Sequence, residues 1–373
     1  MDLYIDRDPF LKILSRIQSV AERRNTIPIL ANTLLTAQEG RLFLAATDLE
    51  VSLLTSCAAD VQTEGCLSVS ARKLFDIVRE LPSEPVRLRM DTCDRIHLTC
   101  GKARFNLVGL PGDQFPELPK PDGLIKMPLA SDVLRAMFAK THFAMSQEES
   151  RFTLNGIFIV VDPGENPNDP CCLRMVATDT HRLSLAKTNL EISLEEPISA
   201  IIPRKAVVEA RKILDEETQP LELVLGSTHI QFIRPEITLI SKLVEGRFPN
   251  YNKVIPTNND IRLDIDKEHL LSVVRRMIVL SNEKSHGIRT KINQETMKVS
   301  TTNPEQEAAD EEMSIRYTGE PITLGFNARY LQEILAAIDG TDICLRIQNH
   351  ESSVLIEDPQ NNNCLFVLMP MRV

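Results

Sequence analysis

The segments LSVSARKLFDIVREL (67–81), SAIIPRKAVVEARKIL (199–214) and ITLGFNARYLQEILAAI (322–338) follow one pattern. Each begins as a strand-like stretch and continues as an amphipathic helix with a basic residue near its start. In the third copy, apolar residues from Leu331 to Ile338 recur at i, i+3, i+4 and i+7, the spacing of one helix face. A pattern that recurs three times along a chain indicates a fold built from three similar units.

Other elements recur with the same order. A helix with a polar or acidic start opens each unit, and the motifs TDLE (47–50), TDTH (178–181) and TNPE (302–305) lie between the two helices of each unit. The remaining segments are typical of strands, since stretches such as VRLRM (86–90) alternate strictly between apolar and basic residues. The predicted helices cover residues 8–20, 71–81, 131–143, 204–214, 266–278 and 327–339.

Two similar turn-rich segments separate the units. PGDQFPEL (111–118) and EGRFPNYN (245–252) combine glycine and proline with polar neighbours, a composition typical of turns and linkers. We therefore expect domain boundaries near residues 120 and 255. The predicted domains are 1–120, 126–255 and 256–373.

The composition indicates a globular protein of the cytoplasm. Of 373 residues, 43% are hydrophobic and 25% charged, and no apolar run is long enough for a transmembrane helix. The first residues, MDLYIDRDPF, lack the basic and apolar regions of a secretory signal. None of the eight cysteines forms a Cys-x-x-Cys motif, so we expect reduced cysteines and no metal site.

The net charge of −10 is unevenly distributed. Basic residues outnumber acidic residues on the six predicted helices taken together, so the rest of the chain is more acidic than the whole. If the helices share a face, that face attracts phosphate while the remainder repels it. The alternative is that lysine and arginine simply solvate the exposed helix faces.

Motifs of common enzymes are absent from the sequence. It contains no P-loop, no Gly-x-Ser-x-Gly elbow and no His-Glu-x-x-His. Asp179, His181 and Ser184 lie too close together in ATDTHRLSL for a catalytic triad, whose members normally meet from separate elements. A structural turn and a partner-binding groove are the alternatives for this segment, and we predict no enzymatic activity.

A series of motifs runs along the whole chain: NTIPILANTLL (25–35), ARKLFDIVRELP (71–82), ATDTHRLSL (177–185), SKLVEGRFPNY (241–251), GFNARYL (325–331) and VLMPMRV (367–373). In these motifs and their order, the chain resembles the bacterial replicative sliding clamps, the beta subunits of the replicative DNA polymerase. The resemblance implies an α+β fold of three similar domains, each with two helices packed on antiparallel sheets, which form half of a six-domain ring. It implies a homodimer that encircles duplex DNA and tethers DNA polymerase, the clamp loader and other proteins.

The resemblance implies sequence-independent contact with DNA. Basic side chains on helices reach phosphates without reading bases, so such a ring holds DNA and still slides. Four candidates match the family's pattern, and Lys12 and Arg16 are added from their positions in the first helix. The predicted DNA contacts are Arg24, Arg72, Lys205, Lys212, Lys12 and Arg16.

The resemblance also implies an apolar groove between the second and third domains that accepts a short peptide with a Gln and bulky apolar residues. Methionines suit such a surface because the thioether side chain adapts to different peptides. We expect Arg182 and Arg372 to bind the peptide's polar groups. Thr180 departs from the family, where a glycine is frequent. The predicted groove residues are Leu154, Thr178, His181, Arg182, Leu183, Pro249, Val254, Asn327, Tyr330, Ser353, Val367, Met369, Pro370, Met371 and Arg372.

For the dimer, the resemblance places the strand KARFNLVGL (102–110) against the third domain of a second copy. An acidic run in that domain would oppose the basic residues of the strand, and apolar residues at the end of a helix would add contact. Ser285 is smaller than the aromatic residue frequent in the family, which predicts a weaker joint. The predicted interface residues are Lys102, Arg104, Phe105, Leu107, Val279, Leu280, Glu305, Glu307 and Glu311, with Asp310 and Glu312 beside them.

Two other classes of protein remain as alternatives. A nuclease with a carboxylate-bound metal would need acidic residues that converge on one site, whereas the densest acidic run, 305–312, is typical of a surface segment. A repeat-built interaction scaffold would not bind DNA at all. Magnesium-dependent cleavage distinguishes the first alternative, and retention on circular DNA distinguishes the second.

Overall fold

The computed structural model describes residues 1–21, 27–120, 122–164, 166, 169–216 and 219–372. Every strand pairing in this part of the chain is antiparallel, and the helices pack on the sheets, which confirms the α+β class. The α-helices of the described residues, numbered in chain order, are α1 (Arg7–Val20), α2 (Ala71–Glu80), α3 (Ser131–Thr141), α4 (Arg204–Glu216), α5 (Lys267–Leu280) and α6 (Ala328–Ala337).

The strands of the described residues are also numbered in chain order. They are β1 (Asp2–Ile5), β2 (Asn32–Gln38), β3 (Arg41–Thr47), β4 (Val51–Ala58), β5 (Asp60–Thr63), β6 (Gly65–Ser70), β7 (Val86–Met90), β8 (Arg95–Cys100), β9 (Ala103–Val108), β10 (Leu110–Pro111), β11 (Ile125–Leu129), β12 (Gly156–Asp162), β13 (Cys171–Thr178), β14 (Arg182–Leu190), β15 (Ile198–Pro203), β16 (Leu221–Leu225), β17 (His229–Arg234), β18 (Ile237–Lys242), β19 (Ile261–Asp266), β20 (Gly287–Asn293), β21 (Thr296–Thr302), β22 (Ala308–Ser314), β23 (Ile322–Asn327), β24 (Asp342–Ile347), β25 (Val354–Asp358) and β26 (Asn361–Leu368).

The chain forms two compact units. The first contains Met1–Asp132 and Lys205–Leu243. Its sheets have the strand orders β5-β1-β7-β8-β9 and β10-β6-β2-β3-β4-β18-β17-β16-β11. Helix α1 packs against α2 and against β3 and β4, and it buries Phe10, Leu14 and Ile17 completely.

The second unit contains Val133–Arg204 and Val244–Val373. Its sheets have the strand orders β15-β12-β13-β14-β26-β25-β24-β19 and β22-β21-β20-β23. Helices α5 and α6 pack together here, and their apolar faces join one large core with the surrounding strands.

The three repeated segments each fold as a strand followed directly by a helix, as predicted: β6 into α2, β15 into α4 and β23 into α6. Polar side chains start these helices where the chain turns: Ser70 accepts a hydrogen bond from Lys73 N, and Asn327 accepts from Arg329 N and Tyr330 N. The predicted helices end within a few residues of the observed ones. After Thr141, a short 3-10 turn replaces the last two residues of the predicted helix.

The middle repeat is divided between the two units, because its two sheets each continue into a strand of another repeat. Strand β18 pairs with β4 of the first repeat, and β14 pairs with β26 of the third. Sequence periodicity within each repeat does not reveal these pairings. The domain ranges 1–120, 126–255 and 256–373 therefore stay predictions.

Candidate partner groove, basic helices and open strands

A single apolar cluster in the second unit collects much of the predicted groove. Leu183 lies directly opposite Val367 where β14 pairs with β26, and both side chains are buried. Leu154 joins them, and Val254 packs against the cluster while remaining partly exposed. This arrangement can receive apolar side chains at its accessible rim.

Two aromatic residues of the cluster were missed from the sequence. Phe248 stacks on Phe158 with ring centroids 4.7 Å apart, and Tyr251 meets the same ring edge-on. Both belong to the GRFPNY segment, from which only Pro249, an exposed residue, was predicted. The aromatic spacing in that linker was the available signal, since exposed linkers rarely carry two buried rings.

The C-terminal tail leaves β26 and forms one side of the groove. Met369 N donates a hydrogen bond to the carbonyl oxygen of His181 at 2.9 Å, and Met371 N donates to the carbonyl oxygen of Gly325 at 2.9 Å. The side chain of Met369 remains 38% exposed. The tail thus connects the two sheets of this unit and presents a flexible apolar side chain beside the cluster.

Arg182 was predicted to bind the polar groups of a peptide, but its guanidinium group is engaged within the protein. Its side chain is only 5% exposed, and Nε donates to the Asp179 carboxylate at 3.0 Å. The other guanidinium nitrogens donate to Glu333 and to the carbonyl oxygen of Phe143, and the Tyr330 ring covers the guanidinium at 4.2 Å. Arg182 therefore holds the groove wall in place, whereas Arg372 is exposed.

The TDTH segment is a hairpin turn. The Asp179 carboxylate accepts hydrogen bonds from the backbone N–H groups of His181 and Arg182, and Thr178 Oγ1 donates to the carbonyl oxygen of Arg182. Ser184 donates to the carbonyl oxygen of Lys140 and makes no pair with His181. The segment is thus a structural turn, and His181 within it stacks on Tyr330. The turn does not exclude the partner groove, which stays a prediction.

The remaining groove candidates lie around this framework. Asn327 caps α6 and donates from Nδ2 to the carbonyl oxygen of Ser285, and Ser353 is half-buried immediately before β25. Burial raises the pKa of the Tyr330 phenol, with the Asp179 charge adding to the effect. Pro370, Met371 and Arg372 line a recess next to the tail.

The predicted DNA contacts lie mostly on helices of the first unit. Lys12 and Arg72 are exposed, and Arg72 pairs with Asp76 at 3.5 Å. Lys212 pairs with Glu209 at 2.8 Å, and Glu209 also accepts a hydrogen bond from Ser19 on α1. Three cations thus sit on the adjoining helices α1, α2 and α4, although neighbouring carboxylates offset part of their charge.

The other three candidates differ from these. Lys205 forms an ion pair with the nearly buried Asp48, which leaves its ammonium less available to phosphate. Arg16 is only 8% exposed, so we do not retain it as a DNA contact. Arg24 lies outside the described residues.

Strands β9 and β22 are two of the eight strands that end the four sheets of the described residues, so each has one side unpaired there. Strand β9 carries Phe105 and the 75% exposed Val108, and β22 carries Asp310, Glu311 and Glu312 of the acidic run. Arg276 donates two hydrogen bonds to the Glu311 carboxylate, at 2.7 and 2.6 Å, and these lower the pKa of Glu311. Near β22, Val279 at the end of α5 is 79% exposed.

The side chains and helices of the described part of the chain bear on metal binding and on membrane insertion. There, no three His, Cys, Asp or Glu side chains converge as metal ligands would. No helix in the same residues has the length and apolar character needed to cross a membrane.

Three family models match consecutive parts of the chain. They are the N-terminal domain of the DNA polymerase III beta subunit at residues 1–119, its central domain at 128–250 and its C-terminal domain at 252–372. Each model is specific to that subunit, and together they cover nearly the whole chain.

Named relatives agree with these models. The beta sliding clamps of Pseudomonas aeruginosa and Escherichia coli are 35% and 34% identical to this chain, with all of both chains covered. A crystal structure of the Pseudomonas aeruginosa beta subunit matches with a TM-score of 0.94 at 35% identity, covering all of both chains. The Caulobacter crescentus beta sliding clamp gives 0.95 at 35% identity, covering 100% of this chain and 99% of that one.

Proposed function

The chain belongs to the beta sliding clamps, the beta subunit family of DNA polymerase III, and from this premise we propose how it works. Two copies close head to tail into a ring around duplex DNA. DNA polymerase, the clamp loader and other proteins dock by short peptides in the groove of the second unit. The ring itself catalyses no reaction, and each copy contributes the domains 1–120, 126–255 and 256–373.

Ring closure is supported by a pairing between strands of successive repeats, here called a joint, which occurs twice within the chain. In each joint, the strand after the TDLE or TDTH turn pairs with the last strand of the following repeat, as in β4 with β18 and β14 with β26. The corresponding strand of the third repeat is β22. The strand of the first repeat that corresponds to β18 and β26 is β9, which only the two-residue strand β10 follows. Strands β9 and β22 are both edge strands whose outer side is unpaired among the described residues, so a third joint of this kind requires a second copy.

The two internal joints also give the register of the third. In them, Leu53 lies opposite Leu239, and Ser184 lies opposite Phe366. The hairpins β3–β4, β13–β14 and β21–β22 can be aligned by the residue pairs within each, which makes Ala309 equivalent to Leu53 and Ser184. The hairpins β17–β18, β25–β26 and β8–β9 align in the same way, which makes Phe105 equivalent to Leu239 and Phe366. We therefore place Ala309 opposite Phe105 of the second copy.

That register pairs opposite charges. Stepping along the antiparallel strands puts Asp310 opposite Arg104 and Glu312 opposite Lys102, on the outward face of the joined sheet. A slip by one residue would move every side chain to the other face, so the match supports this register. Phe105 and Val279 supply apolar surface, and pairing hides both edges from other partners.

Charge reversal tests the joint. We expect Arg104→Glu to raise the dimer dissociation constant at least about tenfold in sedimentation, because close interface charge pairs couple strongly. Adding Asp310→Arg should restore most of the affinity. The matched control is Arg89→Glu, an exposed cation on β7 of the same sheet, which should leave the dimer intact. A fully dimeric Arg104→Glu variant, or a double variant as weak as the single one, would show that the register is wrong.

The groove is supported by the apolar cluster around Leu183 and Val367 and by the exposed Met369 beside it. A few apolar side chains inserted at a preformed pocket should supply most of the binding energy. Each copy offers one such groove, so a ring offers two. Met369→Ala should weaken a clamp-binding peptide by roughly 1–3 kcal/mol.

A topological assay tests the ring as a whole. Loaded by a clamp loader, the protein should stay on circular DNA and slide off once the circle is cut. Equal loss from intact and cut circles would favour an interaction scaffold instead. Incubating the pure protein with DNA and magnesium addresses the nuclease alternative, since a clamp leaves the DNA whole.

A further inference from the structure

One face of the nine-stranded sheet in the first unit carries an apolar pocket with a volume of about 400 Å³. Leu34, Phe43 and Leu54, on the neighbouring strands β2, β3 and β4, line the pocket together with Leu118 of the turn-rich segment 111–118. All four side chains are only partly buried. Ligand pockets are typically of this size, roughly 300–1,000 Å³, and are lined mainly by apolar side chains. The pocket therefore has the volume and the lining of a ligand site.

The lining of the pocket is nearly neutral. Glu236 is the single ionisable residue among those that line it, and its carboxylate forms an ion pair with Arg41 at 3.0 Å. The Arg41 guanidinium also donates to Ser56 Oγ at 3.0 Å. Transfer of an unpaired charge into apolar surroundings is unfavourable, so the ligand that fits this lining is an uncharged apolar group.

The second unit contains equivalent positions, because its strands β12, β13 and β14 are neighbours in the same order as β2, β3 and β4. The residue pairs within the two sets align them and make Leu34, Phe43 and Leu54 equivalent to Phe158, Arg174 and Leu185, in that order. The turn-rich segments align by their Phe-Pro pairs, FPEL (115–118) and FPNY (248–251), so Leu118 corresponds to Tyr251.

In the second unit, a ring of the chain itself occupies the equivalent place. Tyr251 meets Phe158 edge-on with ring centroids 6.2 Å apart, packs in one apolar cluster with Leu185, and is only 7% exposed. In the first unit, the smaller Leu118 stands at the position of Tyr251, and an apolar Phe stands at the position of Arg174. The first unit therefore keeps an open and more apolar space where the second unit holds an aromatic ring.

We propose that the pocket in the first unit binds the ring of a Tyr or Phe side chain from an extended segment of a partner protein. The occupant is inferred from Tyr251, whose ring fills the equivalent place in the same chain. An aromatic side chain buries about 150–250 Å², so it gains more from such a pocket than a smaller aliphatic side chain does. All the lining residues belong to the first unit, so the inference does not rest on the peptide groove of the second unit.

Short peptides added to the full-length chain test this ligand. The probes are the capped tripeptides Gly-Tyr-Gly and Gly-Leu-Gly, and methyl NMR of the isotope-labelled protein locates their binding. The Tyr peptide should shift the methyl signals of Leu34, Leu54 and Leu118. It should bind at least about threefold more tightly than the Leu peptide, because its ring has the larger apolar surface. The methyl signals of Leu183 and Val367 report binding in the groove separately.

Two variants change the pocket. Thr238→Glu places a carboxylate directly opposite Leu54 and should weaken binding of the Tyr peptide at least about tenfold, since a charge in an apolar pocket opposes the ring. Leu118→Tyr introduces the residue type of the second unit, and its ring should shift the Leu34 and Leu54 methyl signals without peptide and block the peptide. The matched control is Leu124→Tyr, at a 61% exposed leucine outside the pocket, which should do neither.

Several results would contradict the inference. No binding of the Tyr peptide, equal affinity of the two peptides, or shifts confined to signals outside the pocket would show that the pocket does not select an aromatic ring. Full binding by Thr238→Glu would place the site elsewhere. Unchanged Leu34 and Leu54 methyl signals in Leu118→Tyr would show that a Tyr ring does not fit. None of these results bears on the peptide groove, which Met369→Ala tests.

Discussion

Thr180 and Leu49 occupy equivalent positions in two hairpin turns, with φ of 79° and 77°. A left-handed backbone costs an L-residue about 1–2 kcal/mol and is least suited to a β-branched side chain such as threonine. Glycine adopts this conformation without that cost. The glycine that is frequent in the family at the position of Thr180 therefore has a conformational reason.

We expect Thr180→Gly to stabilise the protein by about 1 kcal/mol, because relief of the left-handed backbone outweighs the removal of one exposed hydrogen bond from Arg151. Thermal unfolding measures the change. Leu49→Gly, at the equivalent turn, is the companion variant and should also raise the melting temperature. A lower melting temperature for both would contradict the strain argument.

Because the Arg182 side chain is buried and paired with two carboxylates, we expect it to contribute to the stability of the fold. Arg182→Leu leaves Asp179 and Glu333 without their shared cation and should destabilise the protein by about 3 kcal/mol. Denaturant unfolding measures the destabilisation. Arg151→Leu, a half-exposed arginine near the same turn, is the control and should cost less than about 1 kcal/mol. Equal effects of the two variants would rule out the internal role of Arg182.

At this scale, the sequence identified several residues that the structure brings into one apolar cluster, but not the contacts that each side chain makes. Leu183 and Val367 were identifiable because family motifs place them, and the structure brings them together. The sequence does not distinguish an arginine that binds a peptide from one that pairs with an internal carboxylate. The burial of the Arg182 side chain, which only the structure gives, indicates the second. The same applies to Arg16, whose position on a basic helix did not reveal that its side chain is covered.

The C-terminal tail can be tested as an element of its own. Strand β26 ends at Leu368, so deleting residues 369–373 removes two tail hydrogen bonds but no strand pairing. We expect the truncated protein to keep its circular dichroism spectrum and its dimer and to lose peptide binding. Deleting only residues 372–373 keeps both hydrogen bonds and should retain most of the affinity.

An unfolded third domain after the longer deletion would instead identify the tail as part of the core. The helices on either side were predictable because their apolar spacing is local. The continuation of β14 into β26 was not, since it joins residues far apart in sequence. The local sequence of a short strand does not indicate which distant strand it pairs with.

At the scale of the whole molecule, the net charge of −10 coexists with cations on α1, α2 and α4. We expect Lys12→Ala with Lys212→Ala to weaken retention on any DNA sequence. The slope of log affinity against log salt should fall by about 1 for each phosphate that is no longer neutralised. Lys126→Ala, an exposed lysine on β11, is the control and should leave the slope unchanged. Weakening that depends on DNA sequence would contradict binding through phosphates alone.

The two strand joints within the chain differ from the proposed joint between two copies in one respect besides pairing geometry. In the joints within the chain, a covalent connection holds the partners together, so their effective local concentration is fixed by the tether, in the millimolar range for short linkers. The joint that we propose between β9 and β22 of two copies would have no such tether, so its formation would depend on the protein concentration. A ring of two copies would contain this joint twice, and dilution should separate the ring only at these two joints. A clamp loader that opens the ring would therefore have to break only the contacts between β9 and β22 of different copies.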